Sequence, residues 1–216
     1  LAHLYQIPEI QEIADYVGDS YYLSQVARDA KEDLIIFCGV KFMAESAKIL
    51  SPNKKILIPS NNTTCPMADM AEVEDVEEMI KKYPDAFKVC YINSSYEVKA
   101  LCDASVTSSS ALKIIKNIPN KQILFLPDQN LGGYISEFFP EKEFILWRGF
   151  CPTHHRITAE DIIKAKEEHP NVKVLSHPEC SKEVRDLSDY IGSTSGIINY
   201  ATECEDKEFI IATEEG

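Results

Sequence analysis

A chain of 216 residues with 44% hydrophobic and 26% charged residues is composed like an ordinary globular protein. Its formal net charge of −13 argues against nucleic acid as a partner, and any small anionic substrate would need local positive potential. No apolar run reaches the roughly 18 residues of a membrane span and no signal peptide is visible, so no membrane association is expected. Opening at Leu1 rather than Met, the chain is expected to have a trimmed N-terminus. Its seven cysteines contain no CxxC pair, and an odd number without a disulfide-like framework points to a reducing compartment, hence the cytoplasm. Cys38 and Cys90 lie in apolar runs and read as small buried hydrophobes.

In chain order, the first landmark is a strand end at Ala2-His3-Leu4-Tyr5-Gln6, followed by Asp15-Tyr16-Val17-Gly18-Asp19-Ser20. Apolar strands are expected at 34–37 and 55–59, the second leading into Cys65-Pro66, and a helix closes at Pro84. The same series then recurs. Tyr91-Ile92-Asn93-Ser94 and Asp103-Ala104-Ser105-Val106-Thr107-Ser108 precede strands at 123–126 and 143–147, and Cys151-Pro152 follows. Thr158-Ala159-Glu160-Asp161 forms a capping box that opens a helix over 162–169, which Pro170 ends. A third pass begins at Ser176-His177-Pro178-Glu179, continues through Asp189-Tyr190-Ile191-Gly192-Ser193-Thr194 and reaches a strand at 209–212.

The spacing is regular. Asp15, Asp103 and Asp189 follow one another at near-equal intervals of about 87 residues. His3, Tyr91 and His177 each precede one of those aspartates by the same distance. Cys65 and Cys151 stand one such interval apart, and each is followed at the same distance by a proline, Pro84 or Pro170. Short apolar strands alternating with amphipathic segments signal βα units and parallel sheets. The expected fold is therefore three repeated parallel-sheet α/β domains around a pseudo-threefold axis, covering 1–86, 87–171 and a truncated 172–216.

Parallel sheets place functional groups on the loops after their strands. Three such units would aim His3, Tyr5, Tyr91, Asn93, His177 and Glu179 at one central cavity. Polar strand caps are the alternative at any one position, and the coincidence of three sets argues for a site. The segments ending in Ser20, holding Ser108 and holding Ser193-Thr194 each precede a helix. Backbone N–H groups and hydroxyls there suit carboxylates or phosphate without a lysine, with plain N-capping as the alternative for each serine. Cys65 and Cys151 occupy equivalent positions, and one more period places a third cysteine beyond Gly216. Three converging thiolates suit a [4Fe–4S] cluster with one iron left open. Zinc on three cysteines with His154 or His155 is the lesser alternative.

With those residues in hand, the chain resembles the quinolinate synthase family from Leu1 to Gly216. The resemblance is carried by Ala2-His3-Leu4-Tyr5-Gln6, Gly18-Asp19-Ser20, Thr64-Cys65-Pro66-Met67-Ala68, Tyr91-Ile92-Asn93-Ser94, Thr107-Ser108-Ser109-Ser110-Ala111, Cys151-Pro152-Thr153-His154, His177-Pro178-Glu179-Cys180 and Gly192-Ser193-Thr194. It implies a transferase that condenses iminoaspartate with dihydroxyacetone phosphate into quinolinate for NAD biosynthesis, with an aspartate-oxidising enzyme as upstream supplier. It also implies a [4Fe–4S] cluster with three cysteine ligands, Cys65 and Cys151 among them. Carried over by motif, His3, Ser20, Tyr91, Asn93, Ser108, His177, Glu179, Ser193 and Thr194 would contact substrate. Tyr5, His177 and Glu179 would be the catalytic groups. The third ligand has no match in this sequence.

Two other readings use the same features. A diphthamide-type radical enzyme also draws one cysteine from each of three α/β domains, but its substrate is a large protein, whereas these strand ends suit a small dianion. A non-catalytic iron–sulfur carrier or sensor would have no use for Tyr5, Asn93 and Glu179 at the cavity.

Overall fold

A computed structural model of the chain describes residues 1–214. Its first elements are β1 (Ala2–His3), α1 (Pro8–Glu12), β2 (Val17–Gly18), α2 (Ser20–Asp29), β3 (Leu34–Ile36), α3 (Lys41–Leu50) and β4 (Lys55–Leu57). A 3₁₀ turn at Ala68–Met70 leads to α4 (Val73–Lys82). Then come β5 (Phe87–Tyr91), α5 (Tyr96–Leu101), β6 (Ala104–Val106), α6 (Ala111–Ile115), β7 (Gln122–Leu126), α7 (Gln129–Ser136) and β8 (Glu143–Leu146). The one-turn α8 (Pro152–His155) precedes α9 (Ala159–Glu168), β9 (Lys173–Ser176), α10 (Lys182–Arg185), β10 (Tyr190–Ile191), α11 (Thr194–Glu203) and β11 (Phe209–Ala212). No helix among the described residues is long and apolar enough to cross a membrane.

The fold is α/β and its sheets are parallel. The central sheet runs β6-β5-β7-β8, and the last runs β10-β9-β11. In the first, β1-β2 and β3-β4 are joined by a bridge from Ala2 to Cys38, so the neighbour order is β2-β1-β3-β4. Sequential strands therefore lie in the same relative order in each sheet. Parallel neighbours require a crossover, which the intervening helices supply.

Both faces of the central sheet are covered, as parallel sheets demand. Ile123 and Phe125 of β7 enter a core with Ile115, Leu131 and Ile135. Leu124 and Leu126 point the other way, onto Val76 of α4 and Val98 of α5. α4 thus packs on the sheet that follows it in sequence, and α9 does likewise through Ile162 and Val174. α7 approaches closely enough that a Cβ on Gly132 would lie 2.6 Å from Leu146 and 2.7 Å from Phe125.

One local expectation changes. The strand expected at 34–37 forms, with Leu34 and Ile36 53% and 55% exposed while Ile35 and Phe37 are buried. α2 and α3 cover one face of β3, and among the described residues nothing covers the other. Cys90 is a fully buried hydrophobe, but Cys38 is only half-buried because it lies past the end of β3, bridged to Ala2. The capping box stands as expected: Thr158 Oγ1 accepts from the Asp161 amide at 3.2 Å, and the Thr158 amide donates back to Asp161 at 3.0 Å.

Candidate functional site

The loops after β1, β5 and β9 and the segments after β2, β6 and β10 meet at a cavity of about 370 Å³. Its wall includes His3, Tyr5, Ser20, Tyr91, Asn93, Ser108, His177, Glu179, Ser193 and Thr194. Cys65, after β4, and Cys151, after β8, line the same space. The structure therefore brings together the substrate, catalytic and cysteine candidates named from the sequence, and of the two histidines offered for zinc it places His154, not His155, on the wall. Cys38, Cys90, Cys102, Cys180 and Cys204 do not line it.

Glu179 is the charged centre of the wall. It is 3% exposed, accepts the Tyr91 hydroxyl proton at 2.7 Å on Oε1, and has His154 Nδ1 3.0 Å from Oε2. Burial alone would raise its pKa. The neighbouring His177 and His154, in their protonated forms, and the Tyr91 hydroxyl bond pull it below the usual carboxylate range, so it stays ionised. Tyr91 responds in the opposite sense: burial and the adjacent carboxylate push its pKa well up, so its hydroxyl stays protonated. Tyr5 is raised too, chiefly by burial, and its hydroxyl sits 3.0 Å from Thr194 Oγ1 across the cavity wall.

His3 and His177 share one local device. The Tyr5 amide donates to His3 Nδ1 at 3.2 Å, and the Glu179 amide donates to His177 Nδ1 at 3.3 Å. An accepting Nδ1 places the proton of a neutral imidazole on Nε2, leaving each ring one N–H to offer. Burial lowers both pKa values from 6.5 to about 4, against the opposing pull of Asp19 on His3 and Glu179 on His177. These are neutral donors at neutral pH.

That burial has a consequence for stability. Between pH 6.5 and about 4 the unfolded chain binds protons at these two histidines that the folded chain does not. Their contribution is complete above pH 6.5 and declines as the pH falls toward 4. Glu179, held low, adds its own loss only as the pH falls from 4.5 toward 2. Thermal melts across pH 7 to 4 should show the decline, and His3→Gln or His177→Gln should flatten it. A melting temperature constant over that window would contradict the buried, neutral assignment.

The helix starts differ among themselves. Asp19 caps α2, accepting from the Tyr22 amide at 2.8 Å, and Ser20 follows it with its side chain at the cavity. Ser193 caps α11 by accepting from the Gly196 amide at 3.3 Å, the plain N-capping use. In the middle set, Thr107 Oγ1 bonds Ser109 and Ser110 at 3.0 Å, which leaves Ser108 outside that ring of hydroxyls.

The two cysteines are built alike. The Cys65 sulfur faces the amides of Met67 and Ala68, and the Cys151 sulfur faces those of Thr153 and His154. Without a cation, burial pushes the Cys65 thiol up to about 11 and Cys151 higher still. Half-buried thiols facing backbone N–H groups suit sulfur ligation to iron, since amide hydrogen bonds to sulfur tune such centres. A second donor set overlaps it: Cys151, His154 and Glu179 present ligand atoms within 4.8 Å of one another. His155 packs at a tilt against Phe150, ring centroids 4.4 Å apart, and does not line the cavity.

Three supporting residues escaped the sequence reading. Asp128, fully buried, accepts the Cys151 amide at 3.0 Å and the Leu131 amide at 2.7 Å. Asn130 donates to the Glu179 carbonyl at 3.0 Å. Arg185, 5% exposed, donates to the Cys180 carbonyl at 2.7 Å and reaches Glu137 at 3.2 Å. Asp128-Gln129-Asn130 follows a strand as the other polar sets do, and that position was its available signal. Nothing local distinguishes Arg185 from a surface cation.

The Quinolinate synthetase A protein (NadA) family model matches residues 1–216. The chain is 63% identical over 216 residues to a quinolinate synthase of Clostridioides difficile (strain 630), covering 100% of this chain and 71% of that protein. It is 60% identical to a quinolinate synthase of Clostridium perfringens (strain SM101 / Type A), covering 100% of this chain and 72% of the relative. A quinolinate synthase of Caldicellulosiruptor saccharolyticus is 58% identical, with 100% and 71% covered. With that likeness running through both cysteine loops and all three sets of strand ends, the chain belongs to the quinolinate synthase family of enzymes.

Proposed function

We propose that this protein is a transferase condensing iminoaspartate with dihydroxyacetone phosphate, giving quinolinate, inorganic phosphate and two waters for NAD biosynthesis in the cytoplasm. The observation that carries the proposal is the single cavity whose wall joins neutral imidazoles, an ionised buried Glu179 and two cysteines from different sheets. In this reading three α/β units surround a pseudo-threefold axis, and a reaction that oxidises aspartate supplies the imine.

Both substrates are anions, and the wall binds them with neutral donors. His3 and His177 offer Nε2–H groups, Asn93 an amide, and Ser20, Ser108 and Thr194 hydroxyls; in a desolvated cavity such dipoles hold charge without an opposing cation. Glu179 accepts a proton from the substrate as the carbon–carbon bond forms, with Tyr91 O–H holding the carboxylate in place. Tyr5, kept protonated, donates to a departing hydroxyl, and Thr194 orients its O–H. Cys65, Cys151 and a third cysteine beyond Gly216 would hold a [4Fe–4S] cluster. When bound, the cluster supplies Lewis acidity at its iron without a protein ligand.

The test is direct. Full-length protein, reconstituted anaerobically with iron and sulfide, should form quinolinate from the two substrates, detected by mass spectrometry. Cluster-loaded protein that forms none would rule the proposal out and leave the carrier reading.

A further inference from the structure

Among the described residues, one buried side-chain atom in the cavity wall is without a partner. His154 is 3% exposed, and its Nε2 lies 2.9 Å from Thr213 Oγ1. Its Nδ1 makes no hydrogen bond, although Glu179 Oε2 stands 3.0 Å away, off the hydrogen-bond line. Thr213 occupies Nε2, so the ring's unpartnered polar atom is the one that faces the carboxylate. A buried imidazole nitrogen and a carboxylate oxygen at this separation are reconciled by a proton or by a metal cation between them.

Cys151 completes the set. Its Sγ, His154 Nδ1 and a Glu179 oxygen lie within 4.8 Å of one another. Thiolate, imidazole and carboxylate are the ligands of a zinc-class cation, whose bonds of about 2.0–2.3 Å place tetrahedral ligands roughly 3.3–3.8 Å apart. The widest separation must therefore close by about 1 Å. Supporting groups are in place around each ligand: Thr213 on the far ring nitrogen, Tyr91 O–H on Glu179 Oε1, and two backbone amides on the sulfur.

We propose that, before its cluster is assembled, this protein binds one zinc-class divalent cation through Cys151 Sγ, His154 Nδ1 and the Glu179 carboxylate, with the fourth position open to the cavity. Binding releases the Cys151 thiol proton to solvent and leaves the cation on the thiolate. The site takes a cluster ligand and the acid/base carboxylate together, so cation and cluster exclude each other. That consequence rests on the synthase reading, whereas the binding does not. Such a donor set prefers zinc to iron(II), so the relative supply of the two metals selects the occupant.

The test uses full-length protein stripped of metal and cluster under anaerobic conditions, titrated with Co²⁺ and then with Zn²⁺. A single cobalt ion should bind with a thiolate charge-transfer band and the intense visible bands of a four-coordinate site, and zinc should displace it. Cys65→Ala keeps this spectrum and His154→Ala loses it. Thr213→Val, which preserves side-chain shape, weakens cobalt binding by about 10–100-fold. A spectrum unchanged in His154→Ala, or lost in Cys65→Ala, overturns the assignment, the latter because the ion would then sit on the cysteine tripod. Cobalt binding is read without turnover, so its failure leaves quinolinate synthesis untouched, and failure of synthesis leaves the binding result standing.

Discussion

Cys65→Ala and Cys151→Ala should each abolish the brown iron–sulfur absorbance of anaerobically reconstituted full-length protein, while Cys38→Ala and Cys204→Ala leave it intact. On the proposed reading, a cube held at three corners by cysteine would be left with two protein ligands by either change, too few to retain it. The difference between variants comes from placement. Cys65 and Cys151 line the cavity with backbone amides on their sulfurs, whereas Cys38 sits beyond β3 and Cys204 bonds Asp206 at 3.1 Å on an exposed turn. Cys180 is buried, but its thiol donates to the Ala212 carbonyl at 3.3 Å, away from the cavity. A cluster that survives Cys65→Ala and disappears in Cys180→Ala would refute the assignment.

Glu179→Gln should lower turnover by about a hundredfold or more, the usual loss when a general acid/base is removed. Glutamine keeps the shape and can still accept from Tyr91, but it carries no charge to receive a proton. Asn130 and Arg185 hold the backbone at and just after position 179, through the Glu179 and Cys180 carbonyls, so the replacement should stay in place. On the proposed reading His3, Ser108 and Asn93 hold the anions without help from Glu179, so substrate affinity should change far less than turnover. Turnover and KM measured on cluster-loaded protein decide the matter. Near-normal turnover would make Glu179 a structural acceptor for the Tyr91 hydroxyl and pass the proton work to Tyr5.

Much of this was legible before any coordinates. A strand end, a Cys-Pro step and a capping box are local events, set by residues a few positions apart, and their regular recurrence along the chain multiplied weak signals into a strong one. Strand order in each sheet then follows from short crossovers, and parallel strands deliver their C-terminal loops to one side.

Contacts between segments distant in sequence could not be read in this way. The chain spells His154 and His155 side by side, and either fits a metal reading. Neighbouring side chains on a helix point about 100° apart, so only the packing of α8 turns His154 toward Glu179 and leaves His155 packed against Phe150. Arg185 and Asp128 look like surface charges, and their burial depends on carbonyls and amides brought by other elements. By itself the sequence determined which residues cap the strands and where the cysteine loops fall, because those depend on local backbone preference and apolar periodicity. Only the tertiary structure decided which lone pairs face each other and which carboxylate stays charged, because desolvation and hydrogen-bond geometry arise from groups that lie on different elements, far apart in the chain.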